Sequence, residues 1–370
     1  MDRALELAER GAGAVSPNPM VGAVLIGPDG DVWGEGWHGR YGGPHAEVWA
    51  VRDAERRGHH QLNDTTMVVT LEPCSHTGKT PPCTDLILRR GIPRVVIAHE
   101  DPFPQVAGRG IRRLREHRVD VTVGVREAEA RRLNEAFLTH VRTGRPLVTL
   151  KVAATLDGQI ATASGDSRWV SGLEARQLVH RWRAESDAVL IGSGTARTDD
   201  PALTVRHVEL ADGQAHPLRV VLDRTGSLPG SLQLFTDDHA ARTVVATTPE
   251  VTPAYANALR QLGGAVLAVD RAGDHLNLGA LLDRLGSGDG LSRPVQSVLV
   301  EAGPGLATAL LTQDLVDRVA WFVAPKLIGM GTASVGDLGV PLMAEALGFV
   351  GSAWETVGQD ALLRGWRRAV

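Results

Sequence analysis

His45, Glu47, Cys74 and Cys83 are the residues of this chain best suited to chemistry. They fall as His45-Ala46-Glu47, then Pro73-Cys74, then Cys83 nine positions later. A zinc ion that activates water takes about three protein ligands and keeps one position open. One imidazole and two thiolates meet that count, and Cys74 and Cys83 are the only cysteines in the chain. Glu47, two residues past the histidine, can sit beside such a metal without ligating it. A carboxylate there can take a proton from water and pass it to a leaving amine. Two other readings stay open on these residues alone. The cysteines could be buried apolar groups, or the zinc could be structural. A structural site normally closes with four ligands, and the nearby candidate for a fourth is His76.

The rest of the chain must position this group. At 370 residues, net charge −4 and 43% hydrophobic residues, it has the composition of a globular protein of two or three domains. No apolar run approaches the ~20 residues that span a bilayer, and MDRALELAER lacks the apolar stretch of a secretory leader. A cytoplasmic protein without a disulfide scaffold is expected. The near-neutral charge argues against a broad nucleic-acid footprint, and the basic stretch at 109–118 reads as a solvated helix face. Of 39 basic residues only Lys79, Lys151 and Lys326 are lysines.

Residues 1–143 alternate between helix and strand patterns. Helices are expected at 1–10, 46–57 (with Ala46, Trp49, Ala50 and Ala54 on one stripe), 83–90 and 111–115. Strands are expected at 21–26, 32–37, 66–71, 95–98 and 119–125, the first two as a hairpin through Asp29-Gly30. Gly144 and Pro146 mark a break, and a second α/β series occupies 147–370. Its strands are expected at 147–152, 188–191, 218–222, 243–247, 265–269, 297–300 and 318–323. Ser171 and Glu174 have capping-box spacing before a helix at 172–185, and 283–293, with three glycines, reads as a loose loop. Nothing usable is legible after about residue 340.

His-x-Glu followed by Pro-Cys is the signature of zinc nucleobase deaminases. More specifically, LEPCSHTGKTPPC, with HAE upstream, PNPMVGAV near the start and DPFPQVAGRGI at 101–111, resembles the deaminase half of the bifunctional riboflavin-biosynthesis deaminase–reductases. The resemblance implies a cytidine-deaminase-like three-layer α/β/α fold acting on a pyrimidinone that carries a phosphorylated ribose. It implies that His45, Cys74 and Cys83 hold zinc and that Glu47 shuttles the proton. Asn18, His38, Lys79 and Asp101 would contact substrate. The family commonly has Asp-Pro-Asn-Pro where this chain has Asp101-Pro102-Phe103-Pro104, which removes a polar contact at that edge.

In the second half, Glu301-Ala302-Gly303-Pro304-Gly305-Leu306 and Gly192-Ser193-Gly194-Thr195 each follow a predicted strand and open a helix, where backbone amides can cradle phosphate. Either turn alone is a plain strand–helix connection, and Thr308 stands where a dinucleotide fingerprint would have its third glycine. Together they suggest a dinucleotide. LKVAATLDGQIATASGDSRWVS, TARTDDPALTVR, VEAGPGLATALL and APKLIG resemble the reductase half of the same family, with a dihydrofolate-reductase-like α/β fold and NADPH as cofactor. By position, Ala153, Trp169, Thr195, Asp199, Arg224 and the run Gly303, Pro304, Gly305, Leu306, Ala307, Thr308 and Ala309 would line the cofactor. Ser167, Arg183, Leu203, Arg206 and Glu301 would face substrate, with Lys151 and Asp157 bordering the pocket. A homo-oligomer, dimer or tetramer, is expected. The rival readings are a nucleoside or nucleic-acid deaminase with an unrelated second domain, and a non-catalytic nucleotide sensor with structural zinc.

Overall fold

The computed structural model describes residues 1–76, 81–103, 107–211, 214–251 and 253–368. It falls into two compact units that divide between Gly144 and Arg145.

The first unit is built on a five-stranded sheet. In spatial order its strands are Val32–Trp37, Gly22–Ile26, Thr66–Val69, Arg94–Ile97 and Asp120–Val123. The first three are antiparallel and the last three parallel. Strand periodicity sends alternate residues to opposite faces. Ala23, Leu25, Met67 and Val69 pack with Ala46, Ala50 and Ala54 of the helix Ala46–Arg56 and with Ile111 and Leu114 of the helix Arg109–Glu116. Val24 and Val68 face the other way, onto Ala4 and Leu7 of the helix Asp2–Glu9. Trp49, expected on the buried stripe, is instead 40% exposed with Arg52 over its ring; Val51 takes the inward place. Gly34 and Gly36 explain how closely the 46–56 helix lies. A Cβ on either would come within 2.4 Å of the Ala50 or Ala46 carbonyl oxygen, so only glycine lets the helix start settle on this strand.

The second unit holds a nine-stranded sheet. Its order is Ala265–Ala268, Thr243–Thr247, Leu218–Leu222, Ala188–Gly192, Ser297–Glu301, Leu147–Thr155, Arg318–Ala324, Asp360–Trp366 and Val350–Val357. The first seven run parallel and the last two form an antiparallel hairpin at the edge. Leu190, Val298 and Val300 join one core with the helices Leu278–Ser287 and Pro304–Thr312. Val189, Ile191 and Leu299 join the core on the opposite face, so helices and loops cover both sides.

Three expectations are corrected here. The helix Leu278–Ser287 runs into the expected 283–293 loop: Leu282, Leu285 and Gly286 are buried, and Gly288 ends it with the positive φ of 74° that a C-terminal cap favours. The capping box does not form. Gly172 occupies the N-cap of Leu173–Glu185 without a side-chain cap, and its amide donates to Asp360, 188 positions away, at 2.7 Å. The segment after residue 340 supplies the hairpin that completes the large sheet.

Candidate functional site

His45 is the N-cap residue of the Ala46–Arg56 helix, and Cys83 is the first residue of the helix Cys83–Arg89. Two positive helix ends therefore meet at these ligands, which favours thiolate. His45 Nδ1 lies 3.6 Å from Cys74 Sγ and 3.3 Å from Cys83 Sγ, and the three donor atoms all lie within 4.8 Å of one another. Zinc bonds of about 2.0 Å to nitrogen and 2.3 Å to sulfur, set tetrahedrally, would separate N and S by about 3.5 Å. The donor set thus has the size and chemistry for zinc. The Cys83 amide donates to Cys74 Sγ at 3.3 Å. The hydrogen bond between the thiols, helped by His45, pulls Cys74 down to about 4, while that bond and burial push Cys83 well up. The pair supports one thiolate readily, and a bound dication supplies what the second needs. Glu47, in the first turn of its helix, is 3% exposed, and burial raises its carboxyl above the ordinary range.

Asn18 and His38 are brought together beside this group. The Pro44 carbonyl accepts from His38 Nδ1 at 3.0 Å, which makes Nε2 of the neutral ring the acceptor for Asn18 Nδ2 at 3.1 Å. Burial lowers His38, consistent with that neutral form. His38 also meets the His45 ring edge-on. Its geometry suits orienting Asn18. Asp101 is buried, its carboxyl pushed up to about 6 by burial, and Oδ1 accepts from the Phe103 amide at 2.8 Å. Phe103 itself is 39% exposed. Lys79 lies outside the described residues. One residue that sequence reasoning passed over is Glu72, whose buried carboxylate accepts four backbone amides. The only signal for it is its place in LEPC, two residues before Cys74.

The second unit opens a cleft of about 1040 Å³ at the carboxyl ends of the parallel strands that finish at Gly192, Leu222 and Glu301. Lys151, Ala153, Ser167, Trp169, Arg183 and Thr195 line it, as do Asp199, Leu203, Arg206, Arg224 and Glu301. From the Gly303 turn, Gly303, Pro304, Gly305, Leu306 and Ala309 face it too. Ala307 and Thr308 do not. Ala307 is buried in the core on the far side of its helix, and the Thr308 hydroxyl donates to the Pro304 carbonyl and accepts from the Gly336 amide. Arg168 lines the cleft beside Trp169 and was not anticipated.

The cleft floor is a buried charge cluster. Glu301 and Lys151 are register partners on adjacent strands. Arg183 donates to both oxygens of Glu301, at 2.6 and 2.9 Å, and to the Thr204 carbonyl at 3.1 Å. Burial works to raise Glu301, but Arg183, with Lys151, holds it at about 2. Burial lowers Lys151 despite Glu301. Asp157 does not line the cleft; its carboxylate accepts from the Ile328 and Gly329 amides and fixes that loop. Lys326 acquires a place as well, donating to the Trp169 carbonyl at 2.6 Å.

Comparison with known proteins supplies the context. Residues 1–99 match the cytidine and deoxycytidylate deaminase zinc-binding region, and residues 146–363 match the RibD C-terminal domain. The chain belongs to the RibD family. The riboflavin biosynthesis protein RibD of Aquifex aeolicus is 40% identical over 98% of this chain and 96% of its own length. The RibD of Escherichia coli is also 40% identical, over 98% and 97%. Among solved structures, RibD of Acinetobacter baumannii superposes with a TM-score of 0.85 at 38% identity, covering 99% of this chain and 97% of that one. A Thermotoga maritima diaminohydroxyphosphoribosylaminopyrimidine deaminase/5-amino-6-(5-phosphoribosylamino)uracil reductase gives 0.82 at 38% identity, with coverages of 99% and 97%. The RibD fold thus accounts for both units: a cytidine-deaminase-like first half and a dihydrofolate-reductase-like second half. The first carries the zinc-binding deaminase region and the second the NADPH-dependent reductase region.

Proposed function

We propose that this chain catalyses two consecutive steps of riboflavin synthesis. It deaminates diaminohydroxyphosphoribosylaminopyrimidine hydrolytically, then reduces the ribosyl group of 5-amino-6-(5-phosphoribosylamino)uracil to ribityl. The observation that carries this reading is the pairing, in one RibD chain, of a His45–Cys74–Cys83 group flanked by Glu47 with a charged cleft of dinucleotide size.

In the deaminase unit, His45, Cys74 and Cys83 hold zinc, which supplies the Lewis acidity that activates water near neutral pH. Glu47 takes the proton and returns it to the departing amine; its burial keeps that proton off bulk solvent. Asn18, oriented by His38, accepts from and donates to the pyrimidine edge, and Asp101 closes the other side. Lys79 meets the ribose phosphate.

In the reductase unit, NADPH supplies the hydride. Trp169, Ala153, Thr195, Asp199 and the Gly303–Leu306 turn with Ala309 hold the cofactor, and Arg224 meets its 2′-phosphate. Ala307 and Thr308 complete the same cofactor-binding run. Arg206, Ser167 and Leu203 receive the phosphorylated sugar. Lys151 donates to the sugar oxygen as the ring opens, its charged form favoured by Glu301 on the adjacent strand, and Glu301 is held by Arg183.

The substrate class is a small phosphorylated pyrimidine rather than nucleic acid, in keeping with a net charge of −4. A cytoplasmic location fits two thiols kept reduced for metal. Self-association belongs to the same reading. The Val350–Val357 strand ends its sheet, and Val350, Trp354, Leu342 and Met343 are exposed on or just before it, a surface that a second copy would cover.

The test supplies the diamino substrate with and without NADPH and follows ammonia release and nicotinamide absorbance. Ammonia should appear without NADPH, and NADPH should be consumed only after deamination. Glu47→Ala should abolish ammonia release yet leave reduction of the deaminated intermediate intact. Turnover of cytidine or single-stranded nucleic acid, with none of the pyrimidinone, would refute the reading.

A further inference from the structure

We infer that Glu72 is a positioning residue of the deaminase reaction, fixing the Asp101 edge of the pocket relative to the metal ligand Cys74. The inference rests on the deaminase reading above. Glu72 is 4% exposed, and among the described residues its carboxylate accepts four hydrogen bonds, all from backbone amides. Oε2 accepts from Asp101 at 3.1 Å and Gly108 at 2.9 Å; Oε1 accepts from Gly110 at 2.8 Å and Ile111 at 3.2 Å. The carboxylate thus caps the Arg109–Glu116 helix at its positive end and at the same time holds the backbone of Asp101. Its own amide donates to the His99 carbonyl at 3.1 Å, tying the exits of two parallel strands together.

Sterics support the same contact. A Cβ on Gly110 would fall 2.1 Å from the Pro73 carbonyl oxygen and 3.1 Å from Glu72 Oε1, so the helix start is pressed directly onto residues 72 and 73. Cys74, by contrast, has support of its own. Its carbonyl accepts from the Thr84 amide and hydroxyl, each at 3.2 Å, and its sulfur accepts from the Cys83 amide. Disturbing Glu72 should therefore move Asp101 while leaving the metal ligands in place. Glutamine does this with little change of size, because its NH2 group would face amide donors that now meet an oxygen.

The experiment uses the full-length chain, with Glu72→Gln and Gly110→Ala compared against the wild type. Zinc per chain, deaminase kcat and KM by ammonia release, and reductase rate on the deaminated intermediate are measured on each. Zinc content and reductase rate should hold. Deaminase KM should rise roughly ten- to hundredfold, the scale expected when a hydrogen bond to a charged group is lost from substrate binding, with kcat changing far less. If Glu72→Gln sheds zinc, Gly110→Ala decides by the same criterion. Wild-type KM in both variants, or loss of zinc from both, would overturn the assignment. A wild-type chain that releases no ammonia would instead refute the deaminase reading before any variant is compared.

Discussion

Replacing Arg183 with methionine should destabilise the second unit by about 3 kcal/mol at pH 7, a figure set by the charges at the cleft floor. Arg183 and Glu301 keep only 10% and 15% of their side-chain surface in contact with solvent, so screening is weak. Glu301 is held at about 2 against an ordinary 4.5. At about 1.4 kcal/mol per pH unit, that difference corresponds to roughly 3 kcal/mol. Stranding one member of a buried pair typically costs about 3–5 kcal/mol, and Lys151 beside Glu301 places the expectation at the lower end. For a unit the size of Arg145–Ala369, each kcal/mol moves the melting temperature by about 2–4 °C, so the shift should be roughly 6–12 °C. Calorimetry of the full chain should show it in one transition only. The pH dependence gives a second check. Because the folded-state value is depressed, the stabilisation is present above 4.5 and is lost as pH falls toward about 2. The gap between wild type and variant should narrow slightly below about 6.5, because Arg183 also lowers His180, and most steeply below about 4.5, where Glu301 is protonated. Arg183→Met combined with Glu301→Gln should recover part of the loss. A shift under about 2 °C at pH 7, or a gap indifferent to acid, would refute the argument.

Three further outcomes follow from other contacts. Cys83→Ser should lower bound zinc well below one per chain after dialysis and abolish ammonia release, while the reductase rate persists; metal analysis checks the first claim. His180 is 6% exposed and is pushed down to about 4 by burial, then by Arg183 and Arg206. The unfolded chain protonates it first, so the second unit should lose stability as pH falls from 6.5 toward 4. His180→Gln, which keeps an acceptor for the Arg206 amide, should flatten that part of a urea-midpoint profile. Trp354→Lys, on the exposed edge strand, should shift light-scattering mass toward the monomer with the deaminase rate intact; unchanged mass would remove this strand from the interface.

Strands such as Leu218–Leu222 and Thr243–Thr247 were legible from their β-branched runs, and Val32–Trp37 as the partner strand across the Asp29-Gly30 turn; all three match residue for residue. The His45–Cys74–Cys83 group was legible because the chain has only two cysteines, nine positions apart, with His-x-Glu upstream. What stayed hidden depends on contacts between distant positions. Arg183 and Glu301 are 118 residues apart, and Asp360 reaches Gly172 across 188. Nothing local to either partner announces such a pair. The glycines near 286–290 misled for a related reason: Gly286 is tolerated inside a helix whose leucines are buried, and only Gly288 ends it. The family resemblance assigns Ala307 and Thr308 to the cofactor run along with their neighbours; their side chains lie off the cleft lining because successive helical residues point in different directions, which a linear motif does not show.

With three lysines in 370 residues, one of them in the floor of the cleft, amine chemistry on this protein becomes almost positional. Burial lowers the Lys151 amine from its ordinary range, and its side chain lines the cleft. A reagent small enough to enter should acylate it, and a bulky one should not. A molecule occupying the cleft would then register as protection of a single mass-labelled peptide. The protein thus carries its own occupancy gauge, readable without turnover and without a spectroscopic cofactor.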